Sequence, residues 1–310
     1  MLGVITIPID PVLQVGPFPI HWYGVGYAVA FLVGIRLVTP YLLKRGVAEK
    51  DASSLIWWSI AIGLLGARLY FVVQQPNLGD YLRNPIRIIA AWEGGMAFFG
   101  TIIALFFTLL AFAYIKKLSF WLLIDAGVLF ATLPQAIGRV GNIINGDILG
   151  PPSDLPWAVA YTSPHTFAPA IGVGYQPAGA YELLVSLGLF FLISWVLRQG
   201  WQDGTAALVY GVAYPLSQLA LFFVRATEPP VLLGLKQAQL TSLVFIFLVV
   251  PTVYLVRRRW PGIFARTDTA TAGDQPGPGA AREPGSDDRE PEPAAPSRSR
   301  SRRPLAKEEA

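Results

Sequence analysis

Seven runs of mostly apolar residues, at about 20–39, 53–74, 95–115, 119–137, 178–198, 204–225 and 238–256, leave this chain few choices of fold. Each comes close to the roughly 20 residues a helix needs to cross the hydrocarbon core of a bilayer. A helix in lipid satisfies its own backbone hydrogen bonds. The expected fold is therefore an all-α integral membrane protein with about seven transmembrane helices. Runs three and four are separated only by a short basic turn at Lys116-Lys117, which predicts an antiparallel hairpin. Charged residues make up 14% of the chain, against about 25% in a soluble domain, so most of the surface is not meant for water. The opening stretch, MLGVITIPIDPVLQVGPFPIHWYG, has no basic n-region and carries Asp10 and several prolines. It reads as an interfacial segment leading into the first span rather than as a signal peptide.

Orientation follows from Lys and Arg in the short loops. Lys44, Arg45 and Lys50 follow span one, Lys116 and Lys117 span three, Arg198 span five, and Arg257–Arg259 span seven. With seven spans these fall on one side, which places the N-terminus outside and the C-terminus in the cytoplasm. The segment 138–177 then lies on the outer face. The net charge of +4 is accounted for by this bias, and nucleic acid is not expected as a partner. Residues 1–260 form one polytopic membrane domain. From 261 to 310 the chain is rich in Pro, Ala, Gly, Ser and mixed charge, a composition too poor in apolar residues to offset chain ordering; a disordered cytoplasmic tail is expected. The absence of cysteine excludes disulfides, thiolate metal sites and a cysteine nucleophile within the chain. With two histidines, no metal or cofactor site is expected.

Ionisable groups inside a bilayer are costly and mark function by default. Arg68, in GLLGARLYFVV, sits well inside span two. It serves either function or a structural pair with a carboxylate such as Glu93 or Asp125. The ten residues GRVGNIINGD (138–147) gather Arg139, Asn142, Asn145 and Asp147 at the end of span four, with glycines at 138, 141 and 146. Guanidinium binds phosphate in a planar, bidentate fashion, amides supply donors and acceptors, and glycine permits close approach or a turn. A phosphate at a membrane interface belongs to a lipid headgroup, so this stretch reads as a grip on one. HWYGVGYA with Tyr23, WEGGMAFFG with Glu93, and QPAGAYELL with Tyr181 and Glu182 reach the same expected face. His165, in TSPHTF, reads as a loop residue.

These motifs resemble those of the prolipoprotein diacylglyceryl transferase family. GRVGNIINGD is similar to its signature, which ends in Glu where this chain has Asp147. HWYGVGY, GARLYFV, WEGGMAFFG and YELL follow in the family's order and spacing, over most of residues 5–256. The resemblance implies a multi-pass enzyme of the bacterial plasma membrane. Such an enzyme moves the diacylglyceryl group of phosphatidylglycerol onto the lipobox cysteine sulfur of a prolipoprotein, releasing glycerol 1-phosphate. Phosphatidylglycerol, prolipoprotein signal peptides and the bilayer are the implied partners. Arg139, Asn142 and Asn145 would hold the phosphate. Tyr23 and Arg68 would line the pocket, and Glu182 would orient them. Asp147 or Tyr23 would aid thiolate formation. Gly146, Tyr181, Tyr214 and Arg225 complete the implied substrate-binding set. The chain departs from the family pattern in having Phe99 for a histidine, Gln218 for an arginine, Phe222 for a glutamate, and Gln176 for the histidine of a His-Pro pair. Those changes open a second reading, a catalytically silent relative that binds phospholipid or prolipoprotein.

Overall fold

A computed structural model of the chain describes residues 4–90, 94–226 and 229–261. Seven of its helical stretches are long and apolar enough to cross a membrane. They are α1 (Trp22–Lys44), α2 (Glu49–Val73), α5 (Phe98–Lys116), α6 (Phe120–Asn145), α7 (Ala178–Arg198), α8 (Thr205–Val224) and a final span from Gln237 to Arg259. Two short helices, α3 (Leu78–Arg83) and α4 (Ile86–Ile89), lie between α2 and α5. The expected tail falls outside the described residues, apart from Pro261.

Four spans differ from their sequence reading. α1 runs on to Lys44 and α2 starts at Glu49, so Lys44 and Lys50 are helical rather than in a loop. α6 does not stop at 137 but continues to Asn145, so most of GRVGNIINGD is helix. Pro134 lies inside it without ending it, as neighbouring helices in a bundle allow. The final span is not one uniform helix. It consists of α9 (Gln237–Val244), a π-helical stretch (Phe245–Val249) and α10 (Val250–Arg259). Pro251 has no N–H to give to the carbonyl four residues back, which matches the widened turn just before it.

α6 is the axis of the bundle. Half of its apolar window is buried, against 11–28% in the other spans. Leu42, Ala113, Trp121, Leu123 and Ala126 form the largest buried cluster around its first turns. α2 and α5 meet through small residues. A Cβ added at Gly100 would fall on the carbonyl of Gly66 and the Cβ of Tyr70, and one added at Gly66 would fall on Ala104. Small residues permit such close backbone approach in membranes. Gly100→Val is expected to cost about 1–3 kcal/mol through overpacking, seen as earlier thermal unfolding in detergent. Unchanged unfolding would mean that the two helices do not meet there.

Helix direction alternates along the chain, so α6 begins, α7 ends, α8 begins and α10 ends at one end of the bundle. Polar groups lace this end together. Asp125 of α6 accepts hydrogen bonds from the amides of Gly204 (2.7 Å) and Ala207 (2.8 Å), capping α8 from a neighbouring helix. Arg257 of α10 donates to the carbonyls of Asp203 (2.6 Å) and Gln202 (2.9 Å). Arg45 pairs with Asp203, and Lys116 with Asp51 at 2.7 Å.

At the opposite end, the N-terminal segment is more ordered than an irregular interfacial stretch. β2 (Val12–Val15) and β3 (Phe18–His21) form an antiparallel hairpin. β1 (Ile5–Ile7) pairs in parallel with β4 (Val159–Tyr161) of the long loop after α6. Asp10 fastens the same junction. Its carboxylate accepts from Ser163 Oγ (3.1 Å) and from the Val12 amide (2.8 Å), and lies 2.7 Å from His165 Nδ1. The bond to His165, then that to Val12, holds the Asp10 carboxyl below its ordinary range. A depressed folded-state value stabilises the clasp at pH above the unfolded value, and that stabilisation is lost as pH falls through the folded one. Exchange protection of the β1 amides, corrected for intrinsic rates, should therefore weaken on acidification below the normal carboxylate range. Asp10→Asn should remove that dependence.

Candidate lipid-phosphate site

The last turns of α6 put Arg139 and Asn142 three residues apart, hence on one face. Arg139 Nη1 donates to Asn142 Oδ1 at 3.3 Å. Gly146 then ends the helix with φ +75°, a left-handed conformation suited to glycine. A Cβ there would sit 2.6 Å from Thr166 Oγ1. The reversal carries Asp147 back over the helix end, where both its carboxylate oxygens accept from Asn142 Nδ2 at 3.1 Å. Burial raises the Asp147 carboxyl above its ordinary value, against the bond from Asn142.

α7 starts beside this turn and α8 ends beside it. Glu182, in the second turn of α7, is 2% exposed. Its Oε2 lies 2.8 Å from Arg139 Nη2, and its Oε1 3.4 Å from Arg225 Nη1. Arg225, at the C-terminus of α8, also sits over the ring of Phe222, 4.8 Å from its centroid. One buried carboxylate thus stands between two guanidiniums, with the Asn142–Asp147 pair on the other side of Arg139.

Tyr23, in the first turn of α1, packs on α6 at Gly141, where a Cβ would lie 3.0 Å from its Cδ2. Its hydroxyl bonds that of Tyr27 at 2.8 Å. Tyr214 stacks on Tyr210 with ring centroids 5.3 Å apart, and Tyr210 donates to Gln135 Oε1 at 3.0 Å, one turn along α6 from Arg139. Asn145 is buried, and its backbone carbonyl accepts from the Phe167 amide (2.8 Å) and Thr166 Oγ1 (3.0 Å), pinning the following loop. Tyr181 accepts from Trp157 Nε1 at 2.7 Å.

Arg68 is buried, and among the described residues it meets backbone carbonyls rather than Asp125. Its guanidinium donates to the carbonyls of Ile88 (3.2 Å), Arg87 (2.6 Å), Gly95 (3.2 Å) and Gly94. Asp125 is spent at the other end of the bundle, and Glu93 lies outside the described residues. Arg68 thus ties α4 to the glycine pair Gly94-Gly95. Phe99 is 46% exposed on the first turn of α5, whereas Gln218 and Phe222 are buried on α8.

Three participants were not singled out in the sequence. Lys236 Nζ donates to the carbonyls of Phe222 (2.8 Å) and Arg225, closing the end of α8. Gln135 and Tyr210 extend the polar track inward. A glutamine four residues before Arg139, and a lysine just ahead of the last apolar run, are the signals that would have found two of them.

The family model for prolipoprotein diacylglyceryl transferase matches residues 11–255. A phosphatidylglycerol–prolipoprotein diacylglyceryl transferase of Thermosynechococcus vestitus is 34% identical over 240 residues, covering 76% of this chain and 88% of the relative. One of Bordetella avium is 37% identical over 233 residues, covering 73% and 84%. One of Synechococcus elongatus is 31% identical over 268 residues, covering 83% and 92%. The chain belongs to the prolipoprotein diacylglyceryl transferase family.

Proposed function

We propose that this protein transfers the diacylglyceryl group of phosphatidylglycerol to the lipobox cysteine of prolipoproteins in a bacterial plasma membrane, with the Arg139 end of the bundle facing outward. The observation that carries this reading is the Glu182 carboxylate held between Arg139 and Arg225, next to Asn142 and Asp147. Two guanidiniums fixed in advance at a membrane interface suit a phosphodiester, and they suit the phosphate monoester that leaves even better, because charge grows on the departing oxygen.

In the proposed reaction Asp147 takes the proton of the substrate thiol. The sulfur then attacks the glycerol carbon that carries the phosphate ester. A C–S bond forms, the C–O bond breaks, and its electron pair leaves with glycerol 1-phosphate. Arg139 and Asn142 meet the phosphate, while Arg225 supplies the second positive charge. Phe222 has a use here: its face steadies the Arg225 guanidinium, which answers the missing arginine at Gln218. The raised carboxyl of Asp147 is closer to the working pH than an ordinary aspartate, as general-base chemistry requires.

The test is purified protein in micelles containing phosphatidylglycerol, given a lipobox peptide whose mass is followed over time. A gain of one diacylglyceryl group is expected. No gain, where a relative with the family's histidine succeeds, would leave the lipid-binding, silent reading in its place. Asp147→Asn should lower the rate by about 10²–10⁴ while leaving phosphatidylglycerol retention intact.

A further inference from the structure

The end of the bundle away from Arg139 carries a second place suited to a lipid. Gln202, Tyr254, Arg257, Arg258 and Pro261 line a cavity of about 240 Å³. Beside it, between α8 and α10, runs an open groove of about 660 Å³ with almost wholly apolar walls, among them Leu208, Val212, Leu216, Val250 and Pro251. Tyr254 belongs to both. The polar cavity and the apolar groove are thus neighbours that share one side chain. From Leu208 to Leu216 the groove follows about 12 Å of helix, most of the roughly 15 Å hydrocarbon depth of one leaflet.

The charges here select the occupant. Arg257 is committed to the carbonyls of Gln202 and Asp203 and to Thr205 Oγ1, so it is fixed in place and still positive. Arg258 is exposed and makes no ion pair or hydrogen bond with the described residues. Asp203 is neutralised by Arg45. Asp125 is turned inward onto the α8 amides, which removes that helix N-terminus as an alternative anion site. The balance is a cationic mouth on an apolar slot.

We propose that this face binds one anionic phospholipid of the leaflet opposite the Arg139 site. Its phosphate lies at Arg258 and Arg257, with the Tyr254 hydroxyl near the glycerol, and one acyl chain lies along the α8–α10 groove. The widened π turn and Pro251, which shape the inner part of the last span, leave the slot open for the chain. A row of arginines that merely anchored the helix end would need no apolar slot behind it and would not distinguish one lipid in number.

The test is native mass spectrometry of the full chain in neutral detergent, titrated with phosphatidylglycerol or with phosphatidylcholine of the same acyl chains. The wild type should retain one more phosphatidylglycerol than Arg258→Gln at the same concentration, with the lost lipid bound about fivefold to tenfold more weakly. Val212→Trp, which fills the groove without touching charge, should lose the same lipid. Equal retention by wild type and both variants would overturn the site. So would phosphatidylcholine held as firmly as phosphatidylglycerol, or a lipid that binds only once residues 262–310 are removed. Arg258 and Val212 line the α8–α10 face and are not part of the Arg139 site, so peptide lipidation should be unchanged in both variants. The lipid count is read independently of whether the transfer reaction occurs.

Discussion

Arg139→Ala is expected to cut the rate of diacylglyceryl transfer by about 10²–10³ or more, with the loss in kcat rather than in KM for the peptide. Removing one preorganised donor to a developing oxyanion costs about that much, and Arg139 is a charged donor with several N–H groups. It also positions its neighbours. Its Nη1 orients the Asn142 amide, whose Nδ2 in turn holds Asp147. Arg139→Lys should recover little, because an ammonium cannot reach Asn142, Glu182 and a phosphate in one plane. Because the change also leaves Glu182 with one cation fewer, the folded fraction must be measured beside the rate. A variant that folds as well as the wild type and keeps its rate would remove Arg139 from the chemistry.

Glu182→Ala carries the largest expected cost in stability. The carboxylate is buried and faces two guanidiniums. Deleting it leaves two like charges at close range without their counterion. Removing one partner of a buried ion pair typically costs about 3–5 kcal/mol. The readout is thermal unfolding in detergent. A second substitution sharpens it: in Glu182→Ala with Arg225→Leu, much of the loss should return, since one of the stranded charges has gone. Strict additivity of the two single changes would show that Glu182 and Arg225 do not interact. Phosphate added to Glu182→Ala should restore part of the lost stability, because an anion can take the place of the missing carboxylate.

The seven spans were legible because hydrocarbon leaves a chain no other use for twenty apolar residues. Where α6 ends was not. Polar residues from Arg139 onward look like the end of a span, yet the helix continues for two more turns because those residues satisfy one another along one face. The hairpin at 12–21 was obscured by Asp10 and the prolines, although Gly16-Pro17 is a turn signal. Arg68 shows a different limit. A sequence displays candidate carboxylates but not backbone carbonyls, and among the described residues four carbonyls hold this guanidinium. At the site, residues adjacent in GRVGNIINGD could be grouped at once. Glu182 and Arg225 come from other helices: the expected topology put Glu182 on the same face as Arg139, and only the motif resemblance added Arg225. Phe222 was read as a lost carboxylate, and its role as a resting face for Arg225 depends on a ring position that no sequence shows.

The pairing of β1 with β4 sets a timetable for biosynthesis. Ile5 meets Val159, so the first strand must wait while α1, α2, α5 and α6 are made and inserted. At about 5–20 residues per second that wait is roughly 10–30 s, during which the Asp10 clasp has no His165 to close on. A nascent chain that stalls in its first four spans therefore carries a first strand with no partner to pair with.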